Sequence, residues 1–296
     1  MDIRIEVGHQ HQRKLIAEEL GAIQEVAGAF NPPLAITCVV VPRDFDAKVN
    51  ELQGTTSYTS ARRWQLALAK VLPLTDDASA IVLSPLLYTE GWDAQMRMYI
   101  YLHEALHVAN KQRFPELRTE PMRVGGQLSF MYGLFDEYDA TRTALRILDS
   151  LFPTKTDRFV AYVDMILDGH CAALLDDDGY YAGIKEQIAL FRTFHLDIDT
   201  FLESIASHLD AGSKDIVYAY ATIDHYPRFS EKEEELAKSK FVNGKTLALI
   251  NFFRLRHDGG DTDLQDGLDL FMEFLTNFGV RPEERAEGTY WHVLDI

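Results

Sequence analysis

The chain has 296 residues, 47% hydrophobic and 25% charged, which excludes a mainly disordered polymer and leaves enough apolar material for a sizeable core. Its 46 acidic and 29 basic residues give a formal charge of −17, which argues against nucleic acid or an anionic membrane surface as partner. Two cysteines, Cys38 and Cys171, are too few for a disulfide scaffold; with no basic-then-apolar leader and no apolar run of about 20 residues, the expectation is a soluble, cytoplasmic protein.

The first 90 residues read as mixed α and β. Residues 3–7 alternate like a short strand. Ile16, Leu20, Ile23, Ala27 and Phe30 recur at helical spacing until Asn31-Pro32-Pro33 breaks the pattern. The β-branched run 36–41 reads as a buried strand ended by Pro42. Residues 60–72 look helical. Asp76-Asp77 marks a turn into a short strand over 80–85, where Pro85 removes a ladder donor, so the strand ends there or lies at an edge.

A long helix is expected over 93–111 and a second over about 127–151. Between them lie a loop rich in Pro, Arg and Glu, 114–123, and then Gly125-Gly126. Further helical patterns cover about 157–175, 181–194, 198–210, 232–255 and 263–278. The aromatic tail 288–296 reads as packed. The fold class is therefore α+β and mostly helical. Pro153 suggests a division into domains 1–153 and 154–296.

The first long helix contains His103-Glu104-Ala105-Leu106-His107. Histidines four apart stand on one helical face, one turn above the other, so both imidazoles can reach one cation. Glu104 is turned roughly 100° from His103 and points beside that cation. From there it can take a proton from a water and pass it to a leaving amine. The helix is apolar nearly all round, from Met96 and Met98 to Leu106 and Val108, so these ionisable groups are costly without partners. The rival reading is a pair of core histidines bonded to backbone or carboxylate.

A zinc site needs a third protein ligand and an open fourth position. A third histidine soon after His107 is missing, because Asn110 and Arg113 stand at the relevant places. On the second helix Glu137 shares its face with Phe130, Gly133, Leu134, Thr141, Ala144, Leu145 and Leu148. It is the single charge on an apolar stripe. Asp136 and Asp139 fall on the opposite face with Tyr132, Arg142 and Arg146, expected to be wet. A carboxylate on a buried stripe needs a cation. Zn2+ held by His103 and His107 is one choice, and a buried Arg or Lys is the other.

On these residues the chain resembles the gluzincin metallopeptidases, in which a His-Glu-x-x-His helix is completed by a glutamate on a following helix. Glu137-Tyr138-Asp139-Ala140-Thr141 looks like the ligand segment of the CAAX-prenyl endopeptidase and ImmA/IrrE families. The thirty-residue gap from His107 suits the compact minigluzincins. The resemblance covers roughly 36–150. It implies a zincin-like N-terminal catalytic core with a small mixed sheet, followed by a helical C-terminal region. It implies zinc on His103, His107 and Glu137, Glu104 as general base and acid, and a peptide or protein as substrate. Thr141 stands where those families carry Asp or Asn to orient a zinc histidine. By the same analogy 81–84 is the edge strand that pairs with an extended peptide.

The expected function is thus that of a soluble zinc-dependent metallopeptidase, a hydrolase of peptide bonds. The alternative is a regulatory or partner-binding protein on a zincin scaffold, with zinc structural or cleavage limited to one partner. Tyr138, His170 and His195 are candidates for stabilising an oxyanion. His9 and His11 read as a solvated turn. Asp176-Asp177-Asp178-Gly179 and Asp258-Gly259-Gly260-Asp261 read as turns without calcium-loop spacing. Glu231 to Glu235 reads as a solvated helix face.

Overall fold

The computed structural model describes residues 1–7, 10–30, 33–61, 66–75, 78–114, 127–285 and 288–296, and within these not the side chains of 10–12, 27, 177, 284, 285, 288 and 289. His9, the side chain of His11, the Asn31-Pro32 break, the Asp76-Asp77 turn, residues 115–123 of the expected loop and Gly125-Gly126 lie outside the described residues. The protein is mostly helical with a small mixed sheet. Among the described residues, no helix is long and apolar enough to cross a membrane.

The chain divides into two compact units, one of residues 1–118 and 143–164, the other of 119–142 and 165–296. The first is built on a four-stranded sheet. Its strands are β1 (Asp2–Ile5), β2 (Ile36–Val41), β3 (Ala69–Thr75) and β4 (Ala78–Leu83), in the order β1-β2-β4-β3. The pairs β1-β2 and β2-β4 are parallel, and β3 runs antiparallel to β4. Alternation sorts the strand residues to two faces. Val39, Val41, Ile81 and Leu83 join a core with Ile16, Leu20 and Ile23 of α1 (Gln10–Gly28) and Tyr101, Ala105 and Val108 of α3 (Ala94–Arg113). On the other face Leu72 and Val82 pack with Phe45 and Val49 of α2 (Phe45–Gln53), and Val40 packs with Cys38 and Ala80.

The edge of this sheet differs from the expectation. The segment at 81–84 is not an edge: β4 is paired on both sides, with Val39↔Ile81 and Val71↔Ile81 in register. The strand ends at Leu83, and Pro85 opens a single 3-10 turn, Pro85–Tyr88, capped by the Ser84 hydroxyl. The outer strand is β3, drawn from the stretch 60–72 that looked helical. Leu66-Ala67-Leu68-Ala69-Lys70 is made of good helix formers, but a sheet surface supplies cross-strand partners that override so weak a preference. The N–H of Val71 donates to the Glu104 carboxylate at 2.7 Å and so points off the sheet. Pro73, two residues on, has the same outward parity and leaves no ladder donor missing.

α3 is fixed at several points along its length. Asp93 caps the Met96 N–H at 2.9 Å. Gln95 donates to the Thr154 carbonyl at 2.9 Å and accepts from the Thr156 N–H at 3.0 Å. Arg97 makes a two-point ion pair with Glu19 of α1. Lys111 and Arg113 sit in the last turn, where cations complement the helix dipole. The next helices are α4 (Gln127–Leu151) and α5 (Asp157–Leu175), each with residues in both units.

The second unit continues with α6 (Ala182–Arg192), α7 (Ile198–His225), α8 (Ser230–Leu236), α9 (Gly244–His257) and α10 (Leu264–Leu275). An antiparallel hairpin follows, β5 (Val280–Arg285) with β6 (Gly288–Val293), where the sequence suggested only a packed tail. The unit's core is aromatic: Phe241 stacks on Phe278, and Phe135 packs beside Phe253. α7 runs fifteen residues past the expected end at 210, because Ile216, Val217, Tyr220, Ala221 and Ile223 continue its buried face. The expected single helix 232–255 is two: Asn243 accepts from the N–H groups of Lys245 and Thr246 and starts α9 afresh. Asp176 caps the Asp178 N–H and opens a short π-helical stretch, Asp177–Tyr181, where the sequence suggested a plain turn, while Gly259 turns out of α9 with φ +80°, so the second acidic loop is a turn.

The parity of β3 gives a direct check. Val71→Pro removes a donor that serves Glu104 and none of the ladder, and is expected to cost about 1 kcal/mol. Leu72→Pro removes a ladder donor to β4 and is expected to cost about 3 kcal/mol or more. Urea unfolding of the two variants tests the assignment, and equal losses would contradict it.

Candidate metal centre

α3 sets His103 and His107 one turn apart, and their Nε2 atoms converge to 3.2 Å. The rings stand nearly perpendicular, with centroids 4.7 Å apart. His107 is buried and His103 half-buried. Tyr99, one turn before His103, lies against that ring and packs on Phe159 and Tyr162, which form an aromatic wall beside the pair. Two nitrogens this close share one proton at most, or a cation. Tetrahedral zinc, with imidazole bonds of about 2.0–2.1 Å, spaces its ligand atoms about 3.3 Å apart, so the observed separation fits the group with almost no movement.

His103 and His107 belong to the first unit, and the third ligand expected from the sequence, Glu137, to the second. The donor set, two imidazoles and a carboxylate, is one that zinc accepts. Glu104 is half-buried, and its Oε2 accepts the Val71 N–H at 2.7 Å. The bond holds the carboxylate on the β3 side of α3.

Glu137 is half-buried and has partners within its own unit. Its Oε2 accepts from the Tyr218 hydroxyl at 2.7 Å, and Lys214 Nζ lies 3.8 Å from Oε1. The lysine alternative raised by the sequence is therefore present, as a long ion pair. The opposite face of α4 is wet only in part: Arg146 is exposed, but Asp139 and Tyr132 are buried. Asp139 is 2% exposed and paired with His257 Nδ1 at 2.7 Å, and Tyr132 is also 2% exposed. α9 supplies the cover that a single-helix projection does not show. Thr141 is buried.

The three oxyanion candidates are otherwise engaged. Tyr138 donates to Asp224 at 2.5 Å, and burial, reinforced by that carboxylate, pushes its phenol pKa up. His170 Nδ1 is 2.7 Å from Asp215 Oδ1, both groups being buried, and Tyr180 donates to the other carboxylate oxygen at 2.6 Å. His195 bonds Thr193 in an exposed turn. The residues missed from sequence are Lys214 and Tyr218. Reading the 3.6-residue period of α7 through Ile216, Val217 and Tyr220 would have placed them one turn apart on one face. The His170 ring lies against Tyr218, with centroids 5.1 Å apart.

No family model, curated protein or solved structure matches the chain.

The buried His170–Asp215–Tyr180 group stands behind Tyr218 and has a measurable weight. Asp215→Ala leaves two buried donors without an acceptor and is expected to destabilise by about 3 kcal/mol. Asp215→Asn keeps an acceptor for His170 and is expected to cost about half as much. Denaturant unfolding reads both, and a loss under about 1 kcal/mol for Asp215→Ala would show that the group is not a structural brace.

Proposed function

We propose that the chain is a zinc-dependent metallopeptidase with a zincin-like core, as the gluzincin resemblance implies. The observation that carries this reading is the 3.2 Å approach of the His103 and His107 Nε2 atoms, beside a glutamate positioned by the same helix. His103, His107 and Glu137 hold the ion. Zinc, when bound, polarises a scissile carbonyl and lowers the pKa of its water to ~7.

Glu104 does the proton work. It accepts a proton from the attacking water and delivers it to the leaving amine, the role that its place between the two histidines suits. The Val71 N–H orients the carboxylate until substrate arrives. The outer side of β3 presents the backbone of Ala69 and Val71, and an extended peptide pairing there by β-augmentation would claim the same N–H. Substrate binding would thus release Glu104 toward the scissile bond. This assigns to β3 the role that the sequence analogy gave to 81–84.

Metal analysis of protein prepared without chelator or His-tag tests the reading, together with hydrolysis of an unfolded protein substrate such as casein. One zinc per chain is expected in the wild type and in Glu104→Gln, and little in His103→Ala. Hydrolysis is expected to fall about 10²–10⁴-fold in Glu104→Gln. A wild-type protein without zinc refutes the metal centre, and full activity in Glu104→Gln refutes the role of that residue. Zinc retention without casein hydrolysis points to the scaffold reading, with cleavage restricted to one partner or absent.

A further inference from the structure

We propose that Lys214 and Tyr218 of α7 form an opposed pair that sets the metal affinity of Glu137, the tyrosine fixing the carboxylate for the ion and the lysine ammonium competing with the ion for it. The inference rests on the zinc reading above and concerns how that site is tuned.

The two residues are four apart on α7 and meet the same carboxylate through different oxygens. Tyr218 donates to Oε2 at 2.7 Å, and Lys214 Nζ lies 3.8 Å from Oε1. The contacts differ in their consequences. A phenol hydroxyl is neutral. It uses one lone pair of the carboxylate, fixes the rotamer of Glu137 and leaves its charge undiminished toward a cation. Partners of this kind orient metal ligands, and their loss typically costs 10–100-fold in metal affinity. The ring itself packs at a tilt against His170, whose imidazole is bonded to Asp215, and Asp215 in turn accepts from Tyr180.

The ammonium carries the same sign of charge as the ion. At 3.8 Å it neutralises part of Glu137 and repels any cation taken up by that side chain. It also has somewhere to go. Asp210, one turn earlier on α7, already lies 3.2 Å from Nζ. A lysine is flexible enough to swing fully to Asp210 when an ion takes its place on Glu137. Lys214 then serves as a stand-in cation, which stabilises the ion-free site and lowers its affinity when an ion is offered. The side chain is 29% exposed, so solvent screens the effect without abolishing it.

Zinc affinity measured against a chromophoric chelator at pH 7 tests this on the full chain. Tyr218→Phe is expected to weaken zinc binding about 10–100-fold. Lys214→Met keeps the aliphatic stem and is expected to strengthen it about tenfold. Thermal unfolding without zinc that is close to the wild type for Tyr218→Phe and somewhat lower for Lys214→Met accompanies the supporting result. A brace without electrostatic competition would make both substitutions weaken binding, which overturns the proposal. Unchanged affinities in a wild type that does bind zinc overturn it while leaving the metal centre intact. A wild type that takes up no zinc removes the centre and the proposal together.

Discussion

The 3.2 Å between the Nε2 atoms of His103 and His107 is a constraint that the rest of the site inherits. Two imidazoles one turn apart on a free helix would rotate away from each other. Here α3 is held by an N-terminal cap at Asp93, a side-chain clamp from Gln95 to residues 154 and 156, a two-point ion pair from Arg97 to Glu19 and a bond from Glu104 to the sheet edge. These contacts, spread over α3 from its first turn to Glu104, oppose sliding and rolling of the helix. Rigidity of this kind is what a site built from two side chains requires, since metal geometry tolerates only a few tenths of an ångström.

Much of this was legible in the sequence because the signals are local. The His-Glu-x-x-His spacing and the apolar surroundings of α3 each depend on residues within two or three turns. What escaped reading depends on partners distant in the chain. Residues 66–70 have helix-forming composition, yet β3 forms because β4 offers a ladder. Asp139 looked solvent-facing because nothing in α4 announces His257, 118 residues later. α7 was cut short at 210 although its apolar period continues. That shortening hides Lys214 and Tyr218, which meet the Glu137 carboxylate.

The second unit shows how a chain of charge −17 buries acids. Asp139 has His257, Asp215 has His170 and Tyr180, and Asp224 has Arg254 and Tyr138, with shortest contacts of 2.5–2.7 Å. Each carboxylate is matched by donors at full hydrogen-bond strength. Such pairs specify one packing of the helices rather than adding much net stability, because the desolvation of both partners offsets most of their attraction.

Glu137 follows a different pattern from those three. Its Oε2 accepts from a neutral hydroxyl, and an ammonium stands off at 3.8 Å from Oε1 on a flexible stem with a second carboxylate within reach. A carboxylate meant only to brace helices would be expected to have the bidentate arginine that Asp224 has, since that geometry satisfies both oxygens and cannot easily leave. A carboxylate meant to receive an ion needs the reverse, an orientation fixed by something uncharged and a counter-charge that withdraws. Asp224 on α7 and Glu137 on α4 thus differ in the chemistry of their neighbours, a bidentate guanidinium for the one and a neutral hydroxyl with a distant ammonium for the other.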